Sequence, residues 1–294
     1  MRVFVTGATG FVGRQIVQQL LDNQHTVRAL VRGPDAFPPQ PDLETVVGDV
    51  TSAESLTDLL SGCEAVIHLV GIIREFGGRD ITFERLHTLA TGNIVAAAQA
   101  QGVQRYIQMS ANGTRANAVS RYHQTKWAAE EIVRGSQLDW TIFRPSLIYG
   151  PNDEFVNMLA GLIRRLPVVP VMGDGTYRLQ PVHVRDVARS FVTALAMPQS
   201  VSQTYSCCGI QAFSYDQLLD QIGQALGLTR VRKIHQPLAL MKPVVGLLQS
   251  CPLFPMTSDQ LQMLLEGNIC TDNNWAETFQ LEQPEFSAGI AEYL

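Results

Sequence analysis

Apolar runs of strand length recur along the first half of the chain. "RVFVTG", "HTVRALVR", "LETVVGDV", "AVIHLVG", "RYIQMS" and "WTIFRPS" are rich in β-branched and aromatic residues, as strands buried on both faces require. Longer stretches lie between them, from Val12 to Leu21 and from Phe83 to Gln101, with apolar positions three and four apart. That spacing predicts helices with one buried stripe. Strand and helix in alternation predict an α/β fold built on a doubly wound parallel sheet, which binds ligands beyond the carboxyl ends of its strands.

Beyond Gly150 the pattern loosens. Prolines and glycines crowd "RLPVVPVMGDG", and two further helices are expected in "VRDVARSFVTALA" and "SYDQLLDQIGQALG". The expected organisation is a first domain over residues 1–150 and a smaller lobe over 151–294, partly interwoven with the first. Residues 236–266 stand apart. Leu238, Leu240, Met241, Val244, Val245, Leu247 and Leu248 are too many for one core-facing stripe, while Lys242, Pro237, Pro243 and Pro252 break any bilayer-spanning helix. Two readings stay open for this tail: a lid folded onto the lobe, or a docking surface for a partner protein or a membrane.

Composition narrows the classes. At 294 residues, with 46% hydrophobic and 17% charged residues, the chain has the balance of a globular protein. A net charge of -5 without a Lys/Arg run argues against a nucleic-acid partner. Met1 leads straight into a strand, with no basic region ahead of an apolar segment. The expected location is therefore the cytoplasm, peripheral to an inner membrane if a partner holds it there. Cys63, Cys207, Cys208, Cys251 and Cys270 form an odd set without a CxxC pair, which favours free thiols over a disulfide framework. Cys207 and Cys208 read as packing residues on opposite faces of a strand. The histidines show no ligand spacing, so no metal is expected; His68 reads as a core residue and His123 as a solvated one.

Candidate chemistry begins at "TGATGFVG", where Gly7, Gly10 and Gly13 follow a strand and open a helix. Gly7 permits the sharp turn, Gly10 lets backbone approach a pyrophosphate, and Gly13 lets helix pack on strand; the helix N-terminus receives the phosphates. This predicts a Rossmann-type nucleotide site. The second strand ends in Arg32 rather than an acid. A guanidinium there suits a 2′-phosphate, so NADP(H) is expected ahead of NAD(H), with Arg14 as a helper. Asp49 is expected near the adenine edge, and Val70 and Gly71 beneath the adenosine.

Tyr122 and Lys126 stand four apart and share a helix face. A phenol titrates near 10, so Lys126 is expected to lower Tyr122 and to reach the nicotinamide ribose. Tyr122 would then pass a proton to or from a carbonyl or alcohol oxygen.

The elements "TGATGFVG", "GDV", "HLVG", "YHQTK", "FRPSLIYGPND" and "QPVHVRDVA", in this order over residues 1–195, resemble an extended or atypical short-chain dehydrogenase/reductase of the epimerase/dehydratase type. "VQRYIQMSANG", "RPSLIYGPNDEFVNMLA" and "LQPVHVRDVA" are most similar to the NADPH-carrying accessory subunit of respiratory complex I and its bacterial relatives. The resemblance implies cofactor contacts at Gly7, Thr9, Gly10, Phe11, Val12, Arg32, Asp49, Val50, Leu69, Val70, Gly71, Tyr122, Lys126 and Pro145, with Pro145 to Ile148 passing over the nicotinamide. It implies a substrate pocket lined by Asn157, Arg178 and "QPVHV", His183 included; Asp186 reads better as a helix-capping acid. One departure weighs against simple transfer. The family's catalytic hydroxyl position falls on Ala111 or Asn112, with Ser110 one residue early, so Ser110, Asn112 and Thr114 are the candidates to replace it. The implied functions are an NADP(H)-dependent oxidoreductase acting on a carbonyl, hydroxyl or sugar-nucleotide-like substrate, or a non-catalytic NADP(H)-holding subunit of a respiratory assembly. Because the Tyr–Lys pair is intact, the first is the expectation.

Overall fold

The protein is described from a computed structural model, which covers residues 1–76, 78, 80–249, 256–272 and 274–294. The strands, in chain order, are β1 (Arg2–Thr6), β2 (Thr26–Val31), β3 (Leu43–Val47), β4 (Ala65–His68), β5 (Arg105–Met109), β6 (Asp139–Pro145), β7 (Ile148–Tyr149), β8 (Val169–Met172), β9 (Arg178–Leu179), β10 (Val182–His183), β11 (Gln203–Cys207), β12 (Phe213–Ser214) and β13 (Lys233–Gln236). The helices are α1 (Phe11–Asp22), α2 (Ala90–Ala100), α3 (Arg121–Arg134), α4 (Phe155–Arg165), α5 (Val184–Ala194), α6 (Tyr215–Ala225), α7 (Leu238–Leu248), α8 (Ser258–Glu266), α9 (Trp275–Thr278) and α10 (Phe286–Ala291).

Two compact units share the chain. The first comprises Met1–Pro145, Arg185–Cys207 and Asn274–Leu281; the second comprises Ser146–Val184, Cys208–Asn273 and Glu282–Leu294. In the first, a seven-stranded sheet runs in the order β11-β6-β5-β4-β1-β2-β3, every pairing parallel. Strand order reverses beside β1, so the turn after β1 lies at the switch point where such sheets bind ligands. Phe4, Val66, Tyr106 and Ile142 of the sheet pack with Leu56, Leu60, Ile94 and Val95 into one core. The seventh strand, β11, lies in the loosely patterned second half of the sequence and joins the sheet beside β6.

The second unit is organised around its helices. Val156, Leu159 and Ile163 of α4 pack with Leu218, Leu219 and Ile222 of α6, and with Tyr149, Tyr177, Phe286 and Ile290. Three two-stranded pairings, β10-β7, β12-β9 and β13-β8, complete it.

The cysteine expectation needs correction. Cys208 and Cys270 form a disulfide across 62 residues, their Cα atoms 6.0 Å apart. The Gln180 side chain explains the pairing: its amide donates to Gly209 O at 2.7 Å, and its Oε1 accepts from the Cys270 N–H at 3.0 Å. Asn268 is meanwhile bonded along β9 through Arg178 O (2.7 Å) and the Gln180 N–H (2.9 Å). These bonds set the two cysteine segments side by side, a juxtaposition that no local spacing reveals. Closing a loop of this length is worth about 4 kcal/mol in unfolded-state entropy. Cys63 and Cys207 remain buried thiols; Cys251 lies outside the described residues, as does the rest of 250–255 in the apolar tail.

Candidate nucleotide site

The glycine turn is built as its three roles demand. Gly7 has φ +70°, a conformation that L side chains rarely adopt. A Cβ on Gly13 would fall 2.2 Å from Gly7 O and 2.8 Å from the Ala8 backbone, so helix and strand touch there. A Cβ on Gly10 would meet nothing within 4 Å except Gly7 O at 3.3 Å. Gly10 is the N-cap of α1, and no side chain caps that first turn. Thr9 and Gly10 are exposed, Phe11 is half-buried and Val12 is buried. An open glycine cradle ahead of an uncapped helix start fits a pyrophosphate.

Arg32 follows β2 directly and is exposed. Arg14 donates through Nε to Thr9 O at 3.1 Å and stacks over the Phe37 ring, 5.2 Å from its centroid. Asp49 is exposed, and its Oδ1 accepts from both the N–H and the hydroxyl of Thr51 at 2.8 Å. Val50 is buried behind it, and its carbonyl accepts from the Asn93 amide at 2.9 Å. Leu69 is buried, Val70 half-buried and Gly71 exposed.

On α3, Tyr122, Lys126, Ala129, Glu130 and Val133 make one buried face. Two charged residues on such a face must each find partners. Lys126 Nζ donates to Met109 O at 3.3 Å, and burial depresses its pKa to about 8 against the opposing pull of Glu130. A Cβ on Gly71 would lie 2.7 Å from Lys126 Nζ, so the amine packs directly against the Gly71 backbone. Glu130 is fully buried; it pairs with Arg144 at 2.8 and 2.5 Å and with Arg134 at 2.5 Å. Both guanidiniums stack on Trp127.

Two expectations at this site change. The cation was expected to lower Tyr122, but burial pushes the phenol up to about 12. At neutral pH it is a proton donor rather than a base. His123 was expected in solvent, yet it is buried, 5.1 Å from the Tyr122 ring and within 3.4 Å of Thr114 Oγ1. Of the candidate hydroxyls, Ser110 donates to Glu130 at 2.5 Å. That bond commits Ser110 to the ionic cluster. Asn112 donates its backbone N–H to Pro145 O at 2.9 Å.

His87 was not anticipated. It is buried between Phe83 (5.4 Å, stacked) and Tyr122 (5.3 Å, edge-on). Its Nε2 accepts from the Ile72 N–H at 3.2 Å and its Nδ1 reaches Thr125 Oγ1 at 2.9 Å. Its Nε2 also lies 3.1 Å from the Ile72 carbonyl oxygen; burial and the Lys126 charge push its pKa down to about 2, so the ring is neutral. His87 thus ties the Gly71–Ile72 backbone to α3 beside Lys126. His68 is a core residue bonded to Thr6 Oγ1 at 2.6 Å, as expected.

The remaining expected residues are less unified. Pro145 ends β6 in the first unit, while Ile148 opens β7 in the second. Asn157 folds back on Asp153, donating to its carbonyl at 2.9 Å, and Arg178 is exposed. His183 is buried, its ring 5.0 Å from Tyr149. Asp186 is the acid in the first turn of α5, where a helix N-terminal acid was expected; it is buried, and Oδ2 has no hydrogen-bond partner among the described residues. Burial raises its pKa to about 6. No cluster of metal-ligating side chains occurs among the described residues.

Parallel sheet, glycine cradle and the buried Tyr122 and Lys126 together define a nucleotide-binding protein of Rossmann type. Residues 7–198 match the NAD(P)H-binding family, to which the chain belongs. It is 31% identical over 287 residues to the NADH dehydrogenase [ubiquinone] 1 alpha subcomplex subunit 9 of Arabidopsis thaliana, an alignment covering 92% of this chain and 71% of that one. It is 36% identical to the ceramide reductase of Caulobacter vibrioides, over 67% of this chain and 61% of the reductase. A dTDP-glucose 4,6-dehydratase from Streptomyces venezuelae, solved with NAD bound, shares the fold with a TM-score of 0.75 at 21% identity, over 99% of this chain and 95% of that one.

Proposed function

We propose that the chain is an NADP(H)-dependent oxidoreductase that reduces a carbonyl, or oxidises the matching alcohol, through Tyr122 and Lys126. The observation that carries this reading is the buried pair itself. A buried lysine held at a pKa of about 8 against the Gly71 backbone is expensive to keep for structure alone. The family membership and the likeness to a named reductase support it.

In this reading Gly7, Gly10 and Gly13 hold the pyrophosphate, and Arg32 and Arg14 hold the 2′-phosphate. When bound, the nicotinamide supplies or accepts the hydride. Tyr122 donates its phenolic proton to the substrate oxygen during reduction, as a group protonated at neutral pH can. Lys126, charged below its pKa of about 8, stabilises the phenolate that remains. His87 holds the Gly71–Ile72 segment that shapes this corner. Tyr122→Phe is expected to abolish turnover in a screen of ketones and alcohols while leaving NADPH affinity nearly unchanged; surviving turnover would remove Tyr122 from the role.

A second reading, a subunit that holds NADP(H) without turning it over, is favoured by one observation. The Ser110 hydroxyl is bonded to Glu130, leaving one fewer donor for the reacting oxygen. The likeness to a respiratory subunit over most of the chain points the same way.

A further inference from the structure

The second unit carries an apolar surface that the nucleotide chemistry does not use. Helix α7 turns Leu238, Met241 and Val245 inward, and Val245 is fully buried. On its other side Leu240, Val244, Leu247 and Leu248 recur at helical spacing and are exposed, Leu240 at 67% and Leu247 at 81%. Ile234 on β13 is also exposed, as are Leu166 and Val168 ahead of β8, the strand that pairs with β13. Exposed leucines in such a run mark an interface.

Charge indicates what meets it. From Gln221 to Ser258 the sequence contains no acid, yet it contains Arg230, Arg232, Lys233 and Lys242, in a chain of net charge -5. Lys233 is paired with Asp220 at 2.6 Å. Arg230, Arg232 and Lys242 are exposed and make no side-chain hydrogen bond or ion pair among the described residues; nor does Arg165, at the end of α4. Acids do occur nearby: Asp216 faces His235 at 3.0 Å, and Asp174 is bonded to Thr176. Three of these four unpaired cations, Arg230, Arg232 and Lys242, belong to the same stretch as the apolar helix. No helix among the described residues is long and apolar enough to cross a membrane. An apolar helix stripe with unpaired arginines and lysine in an acid-free segment matches what anionic lipid headgroups attract: leucines enter the acyl boundary while cations contact phosphates.

We propose that α7, with Arg230 and Arg232, docks the protein on an anionic membrane surface, lying in the interface without spanning it. This is independent of whether the nucleotide site is catalytic.

Co-sedimentation of the full chain with lipid vesicles tests it. The protein is expected to pellet with vesicles of phosphatidylcholine and phosphatidylglycerol in equal parts, and not with phosphatidylcholine alone. Raised salt should weaken the binding. The double variants Leu240→Glu/Leu247→Glu and Arg230→Glu/Arg232→Glu should each lower vesicle affinity by about ten-fold or more. NADPH affinity and thermal unfolding serve as fold controls, since all four side chains are solvent-facing. Failure to pellet with the anionic vesicles overturns the proposal, as does pelleting that neither double variant weakens. A dimer that Leu240→Glu/Leu247→Glu dissociates, in protein indifferent to vesicles, also overturns it and assigns the stripe to self-association.

Discussion

Replacing Lys126 by Met removes a buried amine and keeps most of its volume. The Lys126 pKa falls from 10.5 to about 8 in the native protein, chiefly through burial. A tenfold change in proton affinity is worth about 1.4 kcal/mol, so keeping Lys126 charged at neutral pH costs the folded state roughly 3 kcal/mol. The lost bond to Met109 O, 3.3 Å long, returns about 1 kcal/mol of that. Lys126→Met should therefore unfold at higher urea, with a net gain of about 2 kcal/mol at neutral pH. The sign of the pH dependence follows from proton binding. Between the native pKa of about 8 and the unfolded value of 10.5, the unfolded chain holds a proton that the native protein has released. Raising pH through this window thus favours the native state in the wild type only, and the variant's advantage shrinks there. Urea titrations of both proteins, without added nucleotide, at neutral pH and across this window would measure the difference. A variant less stable than wild type at neutral pH, or an advantage unchanged with pH, would refute the reasoning.

Arg32→Ala is expected to erase most preference for NADPH over NADH in paired binding titrations, with little loss of NADH affinity; equal losses would free Arg32 from the 2′-phosphate role. Asp186→Asn should stabilise the protein at neutral pH by up to about 3 kcal/mol, because a carboxyl raised from 3.8 to about 6 is ionised there at a cost to the fold. The contribution of Asp186 is fully present below pH 3.8 and lost as pH rises through about 6. Thermal melts of the two proteins should therefore converge in acid.

The sheet and the glycine turn were legible because their signals are local. Strand runs and the "TGATGFVG" turn owe their form to steric demands within a few residues, and Gly7 and Gly13 meet them as expected. Tyr122 and Lys126 were legible through helix periodicity. What stayed hidden depends on contacts between distant segments. Glu130 lies one turn beyond Lys126 on the same face, but nothing local announces Arg144 from β6, which pairs it and so captures Ser110. His87 sits in a helical run whose apolar pattern masks its bond to Ile72, 15 positions earlier. The Cys208–Cys270 bridge needed Gln180 as an intermediary. Desolvation was missed for the same reason: spacing shows that Tyr122 and Lys126 share a face, not that burial sets the phenol.

In the proposed oxidoreductase, NADP(H) is consumed at this site rather than stored there. The rate at which bound cofactor exchanges with labelled NADPH in the purified protein tests it directly. A cofactor used in turnover must leave on the timescale of catalysis, about 1 s⁻¹ or faster, and exchange within seconds is the predicted result. Exchange over hours would contradict the oxidoreductase account and leave the glycine cradle holding a fixed ligand.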